Sequence, residues 1–347
     1  MSSSPPNDKK KPAPAQKMLG ANSVARALVH IGDRWSLLII GAAFLGVHRF
    51  GEWRQAIGVA SNILTNRLVR LVDIGCLRKE STNGRGHESY KLTRMGADLF
   101  PTALMFWRFD RLWSKRRGSQ RVTLTHTKCG QVMTPTLVCG HCREEVHPRE
   151  VRYVAGPGAK MEPRPPPKSS RRSNETLNNS TLISSLFGEA IDFFGDRWTQ
   201  LVMASFFLGD RRYEDIRARW HLAPNVLADR LKLLVEEGML ERRVYQTNPD
   251  RKEYILTAKG MGVYPIVLTL NQWGDRWLAG RHGPPLALTH LKCGGELHPI
   301  AVCDGCGEPL KVHEVRFAAQ EGQPPAPAGP GAVGAAGQAR AGLRGQG

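Results

Sequence analysis

The sequence predicts a mainly α chain with small β-hairpin wings (an α+β class). It is built as two copies of one domain, each followed by a short cysteine-rich appendage. Three observations carry this reading. Gly32-Asp33-Arg34-Trp35 returns as Gly195-Asp196-Arg197-Trp198. His126-x2-Cys129-x9-Cys139-x2-Cys142 returns with the same spacing as His290-x2-Cys293-x9-Cys303-x2-Cys306. The helical and strand-like patterns between these markers also run in parallel, at an offset of 163 positions from Asp33 to Asp196 and 164 from Cys129 to Cys293. A repeat of that length is a domain duplication rather than a solenoid.

The elements follow in order. Val24 to Phe44 has helical apolar spacing through Ala27, Leu28, Ile31, Leu38 and Ile39, and Phe187 to Phe207 matches it. A short helix is expected at Phe50 to Ile57 and again at Tyr213 to Trp220. A third helix, Ser61 to Ile74, ends at Gly75, and its copy, Pro224 to Glu237, ends at Gly238; glycine is the usual residue where a helix closes in a left-handed turn. Two short strands around a turn follow, Leu77 to Glu80 with Ser89 to Leu92, then Leu240 to Tyr245 with Glu253 to Leu256. The extra residue of the second copy falls in this hairpin loop, where length changes cost least. A last apolar and aromatic helix runs from Gly96 to Trp113 and from Gly260 to Trp277. Helix, helix, turn, helix, hairpin is the order of a winged helix-turn-helix, whose third helix enters the major groove. The chain therefore divides into a disordered basic segment (1–17), winged unit one (18–118), cysteine-rich unit one (119–154) and a Pro-rich basic linker (155–179). Winged unit two (180–281), cysteine-rich unit two (282–317) and a Gly/Ala/Pro tail expected to be disordered (318–347) complete it.

At 347 residues there is room for two cores. The formal net charge of +18 points to a polyanion, double-stranded DNA above all. No apolar run is long enough to span a bilayer and the N-terminus lacks a signal-like apolar segment, so a cytoplasmic, nucleoid-associated protein with no membrane partner is expected. G-x-S-x-G, P-loop and H-E-x-x-H motifs are absent from the sequence. Val138 and Val302 stand where a zinc deaminase would place proline before Cys-x2-Cys. The reading is a non-enzyme.

On the third helix, Leu64, Leu68, Leu71 and Val72 share the inward face, whereas Asn62, Asn66 and Arg70 project outward with Thr65 at the border. Asparagine and arginine suit adenine and guanine edges. The second copy carries Asn225, Asp229 and Lys232 there, with Ala228 at the border, so the copies are not expected to read identical half-sites. Arg67 and Arg230 lie nearer the buried face, to reach a phosphate or brace the helix. Arg85 and His87 in one wing, and Arg251 and Lys252 in the other, are candidate phosphate or minor-groove contacts. Arg34 and Arg197 are candidate phosphate contacts from the first helical segment, beside core Trp35 and Trp198.

Six of the seven cysteines belong to the repeated clusters. Three thiols and an imidazole in pairs two residues apart describe a structural zinc site, and segments this short need such a staple. Two zinc ions are expected, held by His126, Cys129, Cys139 and Cys142, and by His290, Cys293, Cys303 and Cys306. His141, His147, His298 and His313 compete for the fourth ligand position, and a redox disulfide at each Cys-x2-Cys is the rival chemistry.

The run Ile31 to Ile40, Arg49-Phe50-Gly51-Glu52-Trp53 and Leu64-Thr65-Asn66-Arg67-Leu68 resemble the HxlR family of bacterial winged-helix transcriptional regulators. So do Arg212 to Ile216, Glu237 to Leu240, and Glu253 to Thr257 with Gly260 in the second copy. The resemblance covers about 95 residues of each copy and leaves out the linker and tails. It implies a DNA-binding regulator acting on two-fold operators, with first and last helices at the interface: Val24 to Ile31, Phe100 to Trp113 and their counterparts. A tandem chain could satisfy this as an intramolecular pseudo-dimer or as a homodimer. Some relatives sense oxidants through a cysteine ahead of the first helix; the matching positions are Asn22 and Ser185, so that chemistry does not carry over, and Cys76 reads as a small buried residue. Two other readings stay open: a low-specificity nucleic-acid-associated protein whose zinc units dock proteins, and a metal- or redox-responsive DNA-binding switch.

Overall fold

The computed structural model describes residues 18–20, 22–82, 87–113, 122–163 and 190–319. Copy one contains α1 (Ser23–Ile31), α2 (Arg34–Phe44), α3 (Phe50–Ile57), α4 (Ser61–Asp73), the hairpin β2 (Leu77–Thr82) and β3 (His87–Leu92), α5 (Arg94–Ala97) and α6 (Phe100–Trp113). Copy two repeats them as α7 (Ala190–Phe194), α8 (Arg197–Phe207), α9 (Tyr213–Trp220), α10 (Pro224–Glu236), β9 (Leu240–Thr247), β10 (Asp250–Leu256), α11 (Ala258–Met261) and α12 (Tyr264–Leu278). Each copy is a winged helix-turn-helix. Segments 1–17, 164–189 and 320–347, including the expected Phe187 start of copy two, lie outside the described residues.

Two expected helices are broken, for local reasons. Asp33 is extended at φ −111° and ψ 151°, and its carboxylate accepts the Ser36 N–H at 3.2 Å, so it ends one helix and caps the next. Thr93 caps the short α5 by accepting the Gly96 N–H at 3.2 Å; that helix closes at Asp98, and the last helix begins again at Phe100. Within copy one, Trp53, Leu64, Leu68 and Leu71 are fully buried and hold α3 and α4 under the wing. The wing is tied back to the helices where the Tyr90 N–H donates to the His48 carbonyl, and in copy two where Tyr254 N–H donates to Arg211.

The copies pack on one another through their first and last helices. Across α1 and α12, Ser23 Oγ donates to Asp275 at 2.5 Å and Arg26 to the Leu278 carbonyl at 3.2 Å. A Cβ at Gly274 would lie 2.4 Å from the Ser23 carbonyl oxygen, so only glycine permits this approach. Across α6 and α7, the Phe194 ring meets Phe106 and Phe109 edge-on at 5.8 and 5.6 Å. Trp273 donates to the Met95 carbonyl and Trp277 to Asp98, at 2.9 and 3.0 Å.

The cysteine-rich segments are not the two separate units expected. Their strands are β4 (Val122–His126), β5 (Val132–Met133), β6 (Pro135–Cys139), β7 (Val151–Ala155), β11 (Leu286–His290), β12 (Pro299–Cys303) and β13 (Val315–Ala319). β4 pairs with β13, β6 with β12 and β7 with β11, all antiparallel and all between copies; among these described strands, β4 and β5 pair within one copy. The β6–β12 ladder centres on Leu137 opposite Ala301, the same position in each copy, so a local two-fold runs through it. Pairing across copies buries more apolar surface than a short segment can alone. Inside the expected linker, β8 (Met161–Pro163) pairs with β1 (Met18–Gly20).

Candidate nucleic-acid interface and metal centre

The exposed face of α4 carries Asn62, Thr65, Asn66 and Val69, because Leu64, Leu68 and Leu71 take the inward face. Val69 is 53% exposed, a large apolar side chain in open water at the middle of a polar face. The sequence reading passed over it, although its spacing from Asn62, Thr65 and Asn66 was the available signal. Thr65 spends its hydroxyl on the Ser61 carbonyl at 2.9 Å.

Arg67 and Arg70 turn toward the protein. Arg67 Nε donates to Asp33 at 2.8 Å and Nη1 to the Asn66 side-chain oxygen at 2.9 Å. Arg70 donates to the Val29 carbonyl and stands 3.8 Å from Asp33. This corrects the outward projection expected of Arg70: each step of four along a helix rotates the side chain by about 40°, so Arg70 lies about 80° round from Asn62 and faces α1. In copy two Arg230 meets Asp196 in the same way. The exposed face of α10 carries Asn225, Ala228, Asp229 and Lys232, with Lys232 3.8 Å from Glu236.

Arg34 and Arg197 are only 9% and 8% exposed, which corrects their expected role as phosphate contacts. Each follows the capping aspartate into the junction between copies, where the Arg34 N–H donates to the Gly195 carbonyl at 3.1 Å. The Arg197 guanidinium lies 4.3 Å from the Trp198 ring centre. In the wings, Arg251 and Lys252 are exposed near the β9–β10 turn, and a bulge between them shifts the register. Arg85 lies outside the described residues, and His87 begins β3. Asn22 caps α1 by accepting the Ala25 N–H at 2.9 Å, whereas Ser185 lies outside the described residues. Cys76 is fully buried, and burial pushes its thiol up to about 12.

The eight metal-ligand candidates form two groups, exchanged between copies. One holds His126, Cys129, Cys303 and Cys306; the other holds Cys139, Cys142, His290 and Cys293. Each takes its His-x2-Cys from one copy and its Cys-x2-Cys from the other. In each group the four donor atoms lie within 4.8 Å of one another. The pairing expected within each copy is corrected; the residue set is unchanged.

All four ligand pairs are built alike. Each begins on the last residue of a strand: β4, β6, β11 or β12. Each then turns so that the N–H four residues on donates back at 2.8 Å: Gly130 to His126, Arg143 to Cys139, Gly294 to His290 and Gly307 to Cys303. The residue closing each turn is left-handed, at φ 72°, 66°, 70° and 72° in that order. Three are glycine, as that conformation favours, and Arg143 is the exception. Backbone N–H groups converge on the sulfurs: those of His141 and Cys142 on Cys139, and those of Gly305 and Cys306 on Cys303.

Distances fit a tetrahedral ion better than a disulfide. Sulfur–sulfur separations between the copies are 3.9 Å (Cys129 to Cys303) and 4.0 Å (Cys139 to Cys293). The His126 Nδ1 lies 3.4 and 3.3 Å from Cys129 and Cys306, and the His290 Nδ1 3.3 and 3.5 Å from Cys142 and Cys293. Metal bonds of about 2.3 Å to sulfur and 2.0 Å to nitrogen give tetrahedral edges of about 3.8 and 3.5 Å. A disulfide needs about 2.05 Å. Both histidines are fully buried, whereas His141, His147, His298 and His313 are exposed and in neither group. These are two Cys3His groups that could hold metal.

Comparison with known proteins supplies the rest. The profile of the HxlR-like helix-turn-helix family matches residues 30–118 and 193–282, more than half of the chain. An uncharacterized HTH-type transcriptional regulator of Mycobacterium tuberculosis is 36% identical over 128 residues, covering 37% of this chain and 81% of the relative. Another from Bacillus subtilis, YvaP, is 34% identical over 101 residues, covering 29% of this chain and 94% of the relative. Among solved structures, a candidate transcription factor of Pseudomonas aeruginosa aligns over 41% of this chain and 90% of its own, at 27% identity and a TM-score of 0.28. The chain belongs to the HxlR-like helix-turn-helix family, and the family match occurs once in each of its two halves.

Proposed function

We propose that the protein is a sequence-specific, double-stranded-DNA-binding transcriptional regulator working in the cytoplasm on nucleoid DNA. One chain supplies both winged units of a two-fold reader, an intramolecular pseudo-dimer. The observation that carries this is the pair of exposed third-helix faces, set on units whose first and last helices pack across a local two-fold. Asn62, Asn66 and Val69 would meet one half-site through base edges and a thymine methyl; Asn225 and Lys232 would meet a different one. Arg251 and Lys252 would lie against phosphate. The half-sites would stand about 10 bp apart, one helical turn. Arg67, Arg70 and Arg230 act by bracing α4 and α10.

The two Cys3His groups serve as structural zinc sites, since they offer four N/S donors and a closed shell. Neither group presents a His-x-Glu or an open ligand position for chemistry.

Selection of bound fragments from a random duplex pool at physiological salt tests the function. Enrichment of two spaced, non-identical half-sites is expected. Enrichment of nothing, with affinity falling steeply with salt, would reduce the protein to charge-driven binding.

A further inference from the structure

The exchange of ligand pairs makes each group incomplete without the other copy. We propose that the two ions act as clasps, each gripped half by one copy and half by the other, which set the distance and angle between the two third helices. The ligand exchange stands on geometry alone; its consequence for DNA rests on the two-half-site reading above.

The β6–β12 ladder explains the exchange. Cys139 pairs with Pro299 at one end and Cys303 with Pro135 at the other, so the two Cys-x2-Cys turns leave opposite ends of a five-residue antiparallel ladder. Four steps along a strand separate them by about 13 Å, too far for one ion. Each must therefore find its His-x2-Cys partner at its own end. β4 is held there by β13 of the second copy, with His126 opposite Val315, and β11 is held by β7 of the first, with His290 opposite Val151. The same pairings repeat across the local two-fold, so both groups close in the same way.

The clasp is coupled to the DNA-reading units. The copy-one strand β7 carries Tyr153, whose hydroxyl donates to Tyr264 on the last helix of copy two at 2.5 Å. The equivalent contact of copy two sets Phe317 against Phe100 on the last helix of copy one, at 6.4 Å between ring centres. On copy one's own side, Arg108 of α6 donates to the Pro135 carbonyl at 2.9 Å and to Glu145 at 2.8 Å. Both last helices, which make the contact between winged units, are thus fastened to the clasped sheet. Loss of either ion frees one end of that sheet.

The test uses full-length protein loaded with zinc, with metal counted by mass spectrometry and checked by the visible absorption of the cobalt-substituted form. Wild type should hold two ions per chain. Cys129→Ser with Cys306→Ser alters two copies but one group, and should keep one ion. Cys129→Ser with Cys139→Ser alters one copy but both groups, and should keep none. One ion retained by the first variant cannot arise from misfolding, so it supports the exchange by itself. No ion in the first variant, or one in the second, overturns it.

A second arm reads the geometry. Zinc chelation should weaken binding to a selected duplex carrying both half-sites by at least about tenfold, because the two contacts stay tethered but lose their fixed spacing. Binding to either half-site alone should change less than about twofold. Equal losses on both duplexes would overturn the clasp's control of spacing. If the random pool enriches nothing while the metal counts hold, the operator reading fails and the exchanged ligation stands.

Discussion

Asp33 and Asp196 occupy the same position in the two copies and face each other as an antiparallel bridge between them. Each caps the helix that follows it, through Ser36 in one copy and Thr199 in the other. Each also holds the arginine of its own third helix, Arg67 or Arg230. One residue thus joins three things: its carboxylate caps a helix start and holds the arginine of the third helix, while its backbone lies at the contact between copies.

Asp33→Ala should therefore cost more than a cap. A lost N-cap is worth about 1 kcal/mol, and hydrogen bonds to a charged group about 1.5–3 kcal/mol. With Arg67 and Arg70 partly exposed, a total of about 2–3 kcal/mol is expected in urea denaturation, with weaker DNA binding through a loosened α4. A loss under about 0.5 kcal/mol would show that the carboxylate braces nothing.

Val69 and Asn66 should specify bases. Val69→Ala should reduce discrimination for thymine at one position, and Asn66→Ala should relax preference for adenine at a neighbouring one, by about 1–3 kcal/mol for the bidentate contact. Binding to a matrix of single-base operator variants is the measurement. A uniform loss across all variants would place both residues outside the base contacts.

Two arginines separate surface charge from buried charge. Arg251 is exposed on a wing, and Arg251→Ala should weaken binding evenly across sequences and lower the salt slope by about one unit. Arg34 is buried at the junction, and Arg34→Gln should leave that slope unchanged while lowering the melting temperature. A reduced slope in the Arg34 variant would mean that the side chain reaches phosphate after all.

Much of this architecture was legible in the sequence, and the exceptions have physical reasons. The short helices Phe50–Ile57 and Tyr213–Trp220 stand at their expected bounds, because apolar spacing and turn residues mark both ends. The capping signal of Asp33 with Ser36 was present, but unbroken apolar spacing on either side hid the break it makes. Burial of Arg34 was not legible, since an arginine in a copied motif suits a phosphate and a packed junction equally. The exchange of metal ligands could not be read at all. The spacing from His126 to Cys129 is the same whether Cys139 or Cys303 completes the group; only the pairing of strands between the copies decides it.

Asp275 adds a pH dependence at the junction of α1 and α12. Burial raises its carboxyl from 3.8 to about 6, opposed by the Ser23 hydroxyl, the nearby Arg26 guanidinium and the Asn271 amide. The folded protein therefore holds this proton more tightly than the unfolded chain does. Its contribution to stability is fully present below about pH 4 and is lost as pH rises through 6, reaching a plateau above about 7. Asp275→Asn removes the titration and keeps an acceptor for Ser23. The difference in unfolding free energy, variant minus wild type, should rise between pH 4 and pH 7 and then level off. A difference that is flat across that range would show that the side chain titrates as it does in water, with the α1–α12 contact open to solvent.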